Sequence, residues 1–488
     1  MNDDQQLAVS CLDDAEAGAD EAARATATPQ SRIERHAMPA QAAQDGGGGD
    51  EAAQGREPRD IWAWLLYAAI LAGLGFVYYY NISGIGRRVM GLLGEHRSLS
   101  LLIYPSALWV VMGLALITFR TIVWMFYRPF SSVDFAAAPP LTVVIPAYNE
   151  GAMVLTSIRS VAQANYPRDR LEILVIDDGS RDDTWRYICE AAAAYPGLVT
   201  ALRHDRNRGK RAALALGFER ARGDILVTLD SDSVIEPDAL LAIAGPFRDR
   251  RIGAVAGKVL VYNRRGLIPR MLHVRFVLSF DLLRSVESAY RNVFCCPGAL
   301  TGLRASAVRG VLGRWKKQRF LGSECTFGED RALTNYLLEA GYDTVYQRSA
   351  VVRTVVPQVY SKLCKMFIRW DRSYVREELR FARIVWKRPL RTRFIALYDR
   401  FVTNLRFPIQ YASLVLLLDL VGHEPHVLVR MLAGTALVSL VNMVYYLRSE
   451  RSFDFFYGVF YTYFYLFALF WIFPYALLTV RARSWLTR

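Results

Sequence analysis

Ile225-Leu-Val-Thr-Leu-Asp-Ser-Asp-Ser233 is an apolar run that ends in two carboxylates one residue apart, Asp230 and Asp232. A short apolar run bounded by turn residues reads as a buried strand. A strand that stops at Asp-Ser-Asp offers hard oxygen ligands at the carboxyl edge of a sheet, where α/β proteins place their ligands. Asp230 and Asp232 are therefore candidate ligands of a divalent metal that holds a diphosphate. The same residues also fit a solvated turn, and only the surrounding chain separates the two readings.

Upstream of this run, strand and helix patterns alternate. Leu141–Pro146 reads as a strand, 151–164 as a helix, Leu171–Ile176 as a strand, 182–194 as a helix, Val199–Arg203 as a strand and 210–221 as a helix. Strands alternating with helices imply right-handed crossovers, hence an α/β fold with a doubly wound, mostly parallel sheet. Neither Gly-x-Gly-x-x-Gly after a strand nor a Walker sequence occurs, which disfavours dinucleotide and P-loop sites.

Two strand ends carry polar residues into one crevice: Tyr148 and Glu150 after the first, Asp177 and Asp178 after the second. A carboxylate such as Asp178 can accept hydrogen bonds from a base or ribose. Gly179 and Ser180 then turn the chain toward the next helix, with Asp182 and Asp183 as candidate caps. Arg206-Asn-Arg-Gly-Lys-Arg211 opens the third helix, and a basic cluster at a helix amino terminus suits an anion as well as it suits a solvated face.

The whole chain has 488 residues, is 53% hydrophobic and carries a formal charge of +14. No basic-aromatic nucleic-acid module is present, and many Arg residues flank apolar runs, so the charge reads as membrane topology, with no nucleic-acid partner. The six cysteines (Cys11, Cys189, Cys295, Cys296, Cys325, Cys364) lack Cys-x-x-Cys spacing, which points away from zinc and from a disulfide framework. Residues 1–58, rich in Ala, Asp, Glu, Gln and Gly, read as a disordered tail without the apolar core of a signal peptide.

Residues 59–128 read as two membrane helices, Ile61–Tyr80 and about 101–127, the second interrupted only by Arg120. Residues 129–395 are the α/β domain, with interfacial helices expected near 267–288 and 360–380. Residues 396–488 form a C-terminal membrane region with spans near 404–421, 427–447 and 455–480 and a short cationic tail. Five crossings would place that tail opposite the α/β domain, against its charge, so 455–480, which contains Pro474, is a candidate re-entrant or broken span.

Val144-Ile-Pro-Ala-Tyr-Asn-Glu150, Asp177-Asp-Gly-Ser180, Gly209-Lys210 and Asp230-Ser-Asp232, in this order, resemble the family 2 glycosyltransferases of the GT-A fold. Phe327-Gly-Glu-Asp-Arg-Ala-Leu-Thr-Asn335 resembles an element of hyaluronan synthases and nodulation chitooligosaccharide synthases. Arg369-Trp370 with Ser373-Tyr-Val-Arg-Glu377 resembles the end of their Gln-x-x-Arg-Trp motif, Cys296-Pro-Gly-Ala299 their acceptor-side loop, and Trp485-Leu-Thr-Arg488 is similar to their Trp-Gly-Thr-Arg tail. One position departs: the motif's Gln is Met366, so either a neighbour such as Lys365 compensates or the contacts differ.

The resemblance implies an inverting enzyme that uses Mn2+ or Mg2+ at Asp232 and Asp230. UDP-sugars would be held by Tyr148, Glu150, Asp178, Lys210, Asp230, Asp232, Arg331 and Arg369. Asp330 would be the catalytic base with Glu329 beside it, Glu329 raising its proton affinity and Arg331 opposing that. Trp370 would form the acceptor platform. The expected protein is a processive synthase in the plasma (inner) membrane, multi-pass, with a cytoplasmic catalytic domain. Its partners would be UDP-GlcNAc and UDP-GlcUA, the growing polysaccharide and the lipid bilayer. Synthesis from UDP-GlcNAc alone is the alternative, followed by a lipid-phosphate glycosyltransferase and by a non-enzymatic channel or transporter with a nucleotide domain.

Overall fold

The apolar run through Ile225 lies inside an eight-stranded sheet, with all four of its strand residues buried. The computed structural model describes residues 116–482 except 424 and 451, together with Gly75. The expected tail, the first membrane helix apart from Gly75, the start of the second and Trp485–Arg488 lie outside the described residues.

In chain order, α1 (Leu116–Phe126) is followed by β1 (Leu141–Ala147), α2 (Met153–Ala162), β2 (Leu171–Asp177), α3 (Thr184–Ala194), β3 (Val199–Arg203) and α4 (Lys210–Arg220). Then come β4 (Ile225–Thr228), β5 (Ser233–Ile235), α5 (Ala239–Ala244) and β6 (Ile252–Val261). Helix α6 (Leu267–Val277) continues through a π-helical stretch, Leu278–Arg284, into α7 (Ser285–Ala289). The α/β part closes with β7 (Thr301–Arg304), α8 (Ala305–Lys316), the hairpin of β8 (Arg319–Phe320) and β9 (Ser323–Glu324), α9 (Glu329–Glu339) and β10 (Asp343–Thr354). The remainder is helical: α10 (Tyr360–Ile384), α11 (Leu390–His423), α12 (His426–Glu450), α13 (Phe455–Ala468) and α14 (Ile472–Leu478).

The sheet order is β3-β2-β1-β4-β7-β6-β10-β5. Strands β1 to β4 are parallel, as the alternation predicts, and β6 and β10 are parallel to each other. Strand β7 runs antiparallel to β4 and β6, and β5 antiparallel to β10. The chain leaves β4 without a crossover helix and turns straight into β5. Asp230-Ser231-Asp232 is that turn, at the carboxyl end of the parallel strands. Pairing of Ser233 with Thr354 then brings Asp232 beside β10, where Thr354 Oγ1 donates to Asp232 Oδ1 at 3.2 Å.

The α/β domain and the C-terminal helices share packing. Val274 and Val277 of α6 form a buried cluster with Met443 and Tyr446 of α12, and Arg270 donates to the Tyr457 hydroxyl at 2.7 Å. Arg120, the one charge in its apolar run, donates to Asp399 of α11 at 2.7 and 2.8 Å. The boundary expected at 395/396 falls inside α11, a continuous helix that starts at Leu390 and contains Pro408. Among the described residues no single helix is long and apolar enough to cross a membrane. The pair α13 and α14, bent by 51° at their junction, passes that test together. The break occurs in the segment expected to be re-entrant or broken.

Candidate active site

The register of β1 on β2 sets Ala147 beside Asp177, so the loops after both strands leave the sheet together. They are laced by polar contacts: Asn149 N–H donates to Ser180 Oγ at 3.0 Å, Arg181 N–H to Asn149 Oδ1 at 2.9 Å and Glu150 N–H to Thr184 Oγ1 at 2.9 Å. Tyr148 and Glu150 stand half-buried at this crevice, as expected. Asp182 does act at the start of α3, accepting from Thr184 N–H at 3.1 Å.

Asp178 is different. Its carboxylate is buried and accepts the N–H groups of Arg208 (2.9 Å) and Gly209 (2.8 Å), with His204 Nδ1 at 2.8 Å. Buried backbone donors ahead of a helix need acceptors, and Asp178 meets that need. In this arrangement it anchors the loop that presents Lys210, instead of facing an open crevice. Arg211 also turns inward: it is buried, stands 5.1 Å from the Trp315 ring centre and donates to the Trp315 carbonyl at 2.7 Å.

Lys210 occupies the centre of the site. Its ammonium contacts Asp230 and lies 3.3 Å from Glu329 Oε1, joining the β4 edge to the start of α9. The loop of Gly298 closes over this pair, where an added Cβ would come within 2.9 Å of Lys210 Nζ and 3.3 Å of Asp230 Oδ1. Burial disfavours the Lys210 cation, but Asp230 and Glu329 outweigh it and raise its proton affinity. Burial and the like charge of Asp230 push Asp232 up to about 6.

Asp230 and Asp232 fit a hard cation. Among the described residues no group of three His, Cys, Asp or Glu ligands is found, so the protein offers carboxylates from one turn. That suits an ion that arrives with diphosphate and water oxygens, the usual manner of Mg2+. With Lys210 on Asp230, Asp232 is the freer ligand.

Asp330 and Glu329 open α9. Gly328 before them has φ +71°, and a Cβ there would lie 2.0 Å from Ser373 Oγ of α10, so both conformation and space require glycine. Trp315 Nε1 donates to the Glu329 carbonyl at 2.9 Å. Burial, then the Glu329 charge, raises the proton affinity of Asp330 against the pull of Lys210 and Arg331. Glu329 itself is held below the usual range: burial works against its charge, but Lys210 foremost, then Arg369 and Arg211, prevail. The expected opposition of Glu329 and Arg331 at Asp330 is therefore present. Behind the two acids lies a cavity of about 20 Å³, lined in part by Cys296, Thr301, Trp315 and Thr334, roughly the room one water needs.

Cys295, whose spacing from the other cysteines marks no metal site, places its Sγ 3.7 Å from Asp330 Oδ2. Burial and the Asp330 charge push the thiol up to about 12, so it stays protonated and donates weakly to that carboxylate. Its adjacency to the acceptor loop was the signal that could have flagged it.

Helix α10 supplies Arg369, within electrostatic reach of Glu329, and Trp370, packed against Phe276 and Phe367 at ring-centre distances of 6.2 and 5.6 Å. Arg331 stands 5.2 Å from the Tyr374 ring centre, on the α10 side of the site. Met366 is buried in the core and Lys365 is exposed, so Lys365 does not replace the missing Gln. The rest of the motif is a brace. Arg376 donates to the Phe327 carbonyl at 2.5 Å, and Glu377 accepts from Gln318 at 2.6 Å and Asn335 at 3.0 Å, all buried.

A sheet of this order, with paired carboxylates at its carboxyl edge and a second acidic pair across one cation, defines a GT-A glycosyltransferase architecture. Residues 142–312 match the glycosyl transferase family 2 model. An N-acetylglucosaminyltransferase of Azorhizobium caulinodans is 30% identical over 356 residues, 72% of this chain and 87% of that protein. A hyaluronan synthase of Streptococcus pyogenes is 32% identical over 310 residues, 60% of this chain and 71% of that protein. A mannosyltransferase of Pyrobaculum calidifontis, solved with GDP-Man and Mn2+, superposes with a TM-score of 0.53 at 19% identity, over 75% of this chain and 99% of that one. The chain belongs to family 2 of the glycosyltransferases.

Proposed function

We propose that this glycosyltransferase polymerises UDP-sugars with inversion and passes the product through its C-terminal helices, and that the product is hyaluronan, built from UDP-GlcNAc and UDP-GlcUA. The observation that carries the transfer chemistry is Lys210, set between Asp230 and Glu329 with Asp330 one residue on, and the likeness to a hyaluronan synthase supports polymerisation. A diphosphate end and a base end thereby meet across one gap, and α10 brings Arg369 and Trp370 to its membrane side.

Asp232, with Asp230 beside it, would hold Mn2+ or Mg2+, whose chemistry is to neutralise charge on the diphosphate leaving group. Lys210 and Arg369 add cationic stabilisation to the same leaving group. The acceptor hydroxyl oxygen bonds to the anomeric carbon while the bond from that carbon to the diphosphate oxygen breaks. The hydroxyl proton passes to Asp330, and UDP departs. The raised proton affinity of Asp330 suits a general base. Trp370 presents a rigid aromatic face to the acceptor sugar.

A polysaccharide carries several hydroxyls per residue, and each one stripped of water without a partner costs roughly several kcal/mol in hydrocarbon. Transfer across a bilayer therefore needs a polar path. The bent pair α13–α14 and the exposed Phe394, Phe401, Phe456 and Phe460 support placement in a membrane, and we place the α/β domain on its cytoplasmic face.

Synthesis from UDP-GlcNAc alone is the second reading, favoured by the N-acetylglucosaminyltransferase of which the chain covers 87%. Purified protein given UDP-GlcNAc and Mn2+, with and without UDP-GlcUA, separates them. Polymer only with both donors is the expected result. Equal polymer without the uronate would overturn the hyaluronan reading, and a lipid-linked monosaccharide as sole product would overturn polymerisation.

A further inference from the structure

Helix α6 carries Arg275 into the space between Trp370 and the C-terminal helices. Its guanidinium carbon lies 4.8 Å from the ring centre of Phe367, 5.7 Å from that of Trp370 and 5.9 Å from that of Tyr461. Tyr465 follows one turn along α13, 6.2 Å from Tyr461. Arg275, Trp370, Asp371, Tyr461 and Tyr465 are all half-buried: neighbours from three helices enclose them, yet part of each side chain stays accessible. Together they form a partly open cluster of aromatic and charged side chains beside Trp370.

Its chemistry is specific. Aromatic faces accept the apolar faces of sugar rings, and tyrosine hydroxyls pair with their hydroxyls. A neutral saccharide needs nothing more. Arg275 adds a cation, and among the described residues it belongs to no ion pair. Asp371 lies within its electrostatic reach and also within that of Arg406 and Arg331. A guanidinium carries its N–H donors in one plane, where a planar carboxylate can meet two of them.

We infer that Arg275 is a specificity-determining residue that holds a carboxylate on the saccharide chain as it leaves Trp370, so that this cluster takes an acidic, uronate-bearing oligosaccharide in preference to a neutral one. The inference rests on the polymerising reading above.

The test is direct binding to the purified full-length protein in detergent, by calorimetry, of three probes: a hexasaccharide of alternating GlcNAc and GlcUA, a neutral GlcNAc hexasaccharide, and UDP with Mn2+. The wild type should prefer the acidic hexasaccharide by about tenfold at low salt, and the preference should shrink as salt screens it. Arg275→Gln should abolish the preference and leave the neutral probe and UDP unchanged, with UDP reporting that the site is folded. Arg275→Lys, which keeps the charge without the fork, should retain part of it. Equal binding of both hexasaccharides to the wild type, a salt-independent preference, or a full preference in Arg275→Gln overturns the inference alone. If neither saccharide binds while UDP does, the polymerising reading fails, and the inference with it.

Discussion

The donor edge of the site, from β1 to β4, is held by backbone amides, whereas the acceptor edge around α9 and α10 is held by buried side-chain contacts between distant parts of the chain. Asp178 takes two loop N–H groups about 30 residues on, and the loops after β1 and β2 pair through Ser180, Asn149 and Thr184. On the other edge, Arg376 and Glu377 of α10 reach Phe327, Gln318 and Asn335, 42 to 59 residues away. The first edge needs only the sheet. The second needs a helix that also packs on the C-terminal region, where Arg372 donates to Thr479 at 2.9 and 3.1 Å. Donor binding and transfer should therefore be separable.

Asp330→Asn tests that separation most severely. Turnover should fall by about 10²–10⁴-fold in a radiolabelled-sugar assay while UDP affinity holds; parallel loss of both would merge the two edges. Asp232→Ala addresses the donor edge alone and should make UDP affinity, measured by calorimetry, indifferent to Mn2+ and to chelator. Unchanged metal dependence would remove Asp232 from the metal site.

Gly328→Ala should strike the acceptor edge with a smaller effect. A side chain at φ +71° against Ser373 costs about 1–3 kcal/mol, to be read as a lower thermal midpoint and slower transfer with UDP affinity retained. The smallest change is Glu329→Gln. Asp330 must be deprotonated to act, so the rate rises with pH through its pKa, which Glu329 raises. Removing that charge lowers the Asp330 pKa, and the acidic limb of the rate profile should move to lower pH. A shift the other way would show that the disturbance of Lys210 dominates.

The same contrast explains what could be read in advance. Strands β1 to β4 announce themselves as apolar runs ending in polar residues, and the structure matches each of them to within a residue or so because local pattern and burial agree. The places of Tyr148, Glu150, Asp230 and Asp232 just past strand ends are legible for the same reason. Asp178 was legible as a site neighbour but not in its task, because the amides it accepts carry no side-chain signature. The bridge from Lys210 to Glu329 spans more than a hundred residues and depends on the antiparallel insertion of β7, which the alternating pattern does not foretell. Glu377 and Arg376 read as part of a motif, and only burial shows them to be a brace.

The seat of Gly328 against Ser373 bears on how the chain can be divided. A piece ending at Thr354 would keep every strand and the whole donor edge, but it would leave Gln318 and Asn335 without Glu377 and α9 without the surface that sets its first turn. Such a fragment would be a nucleotide-sugar binder with no means of transferring the sugar. The shortest working enzyme extends at least through α10, so that helix belongs to the catalytic unit and is no mere tether for it.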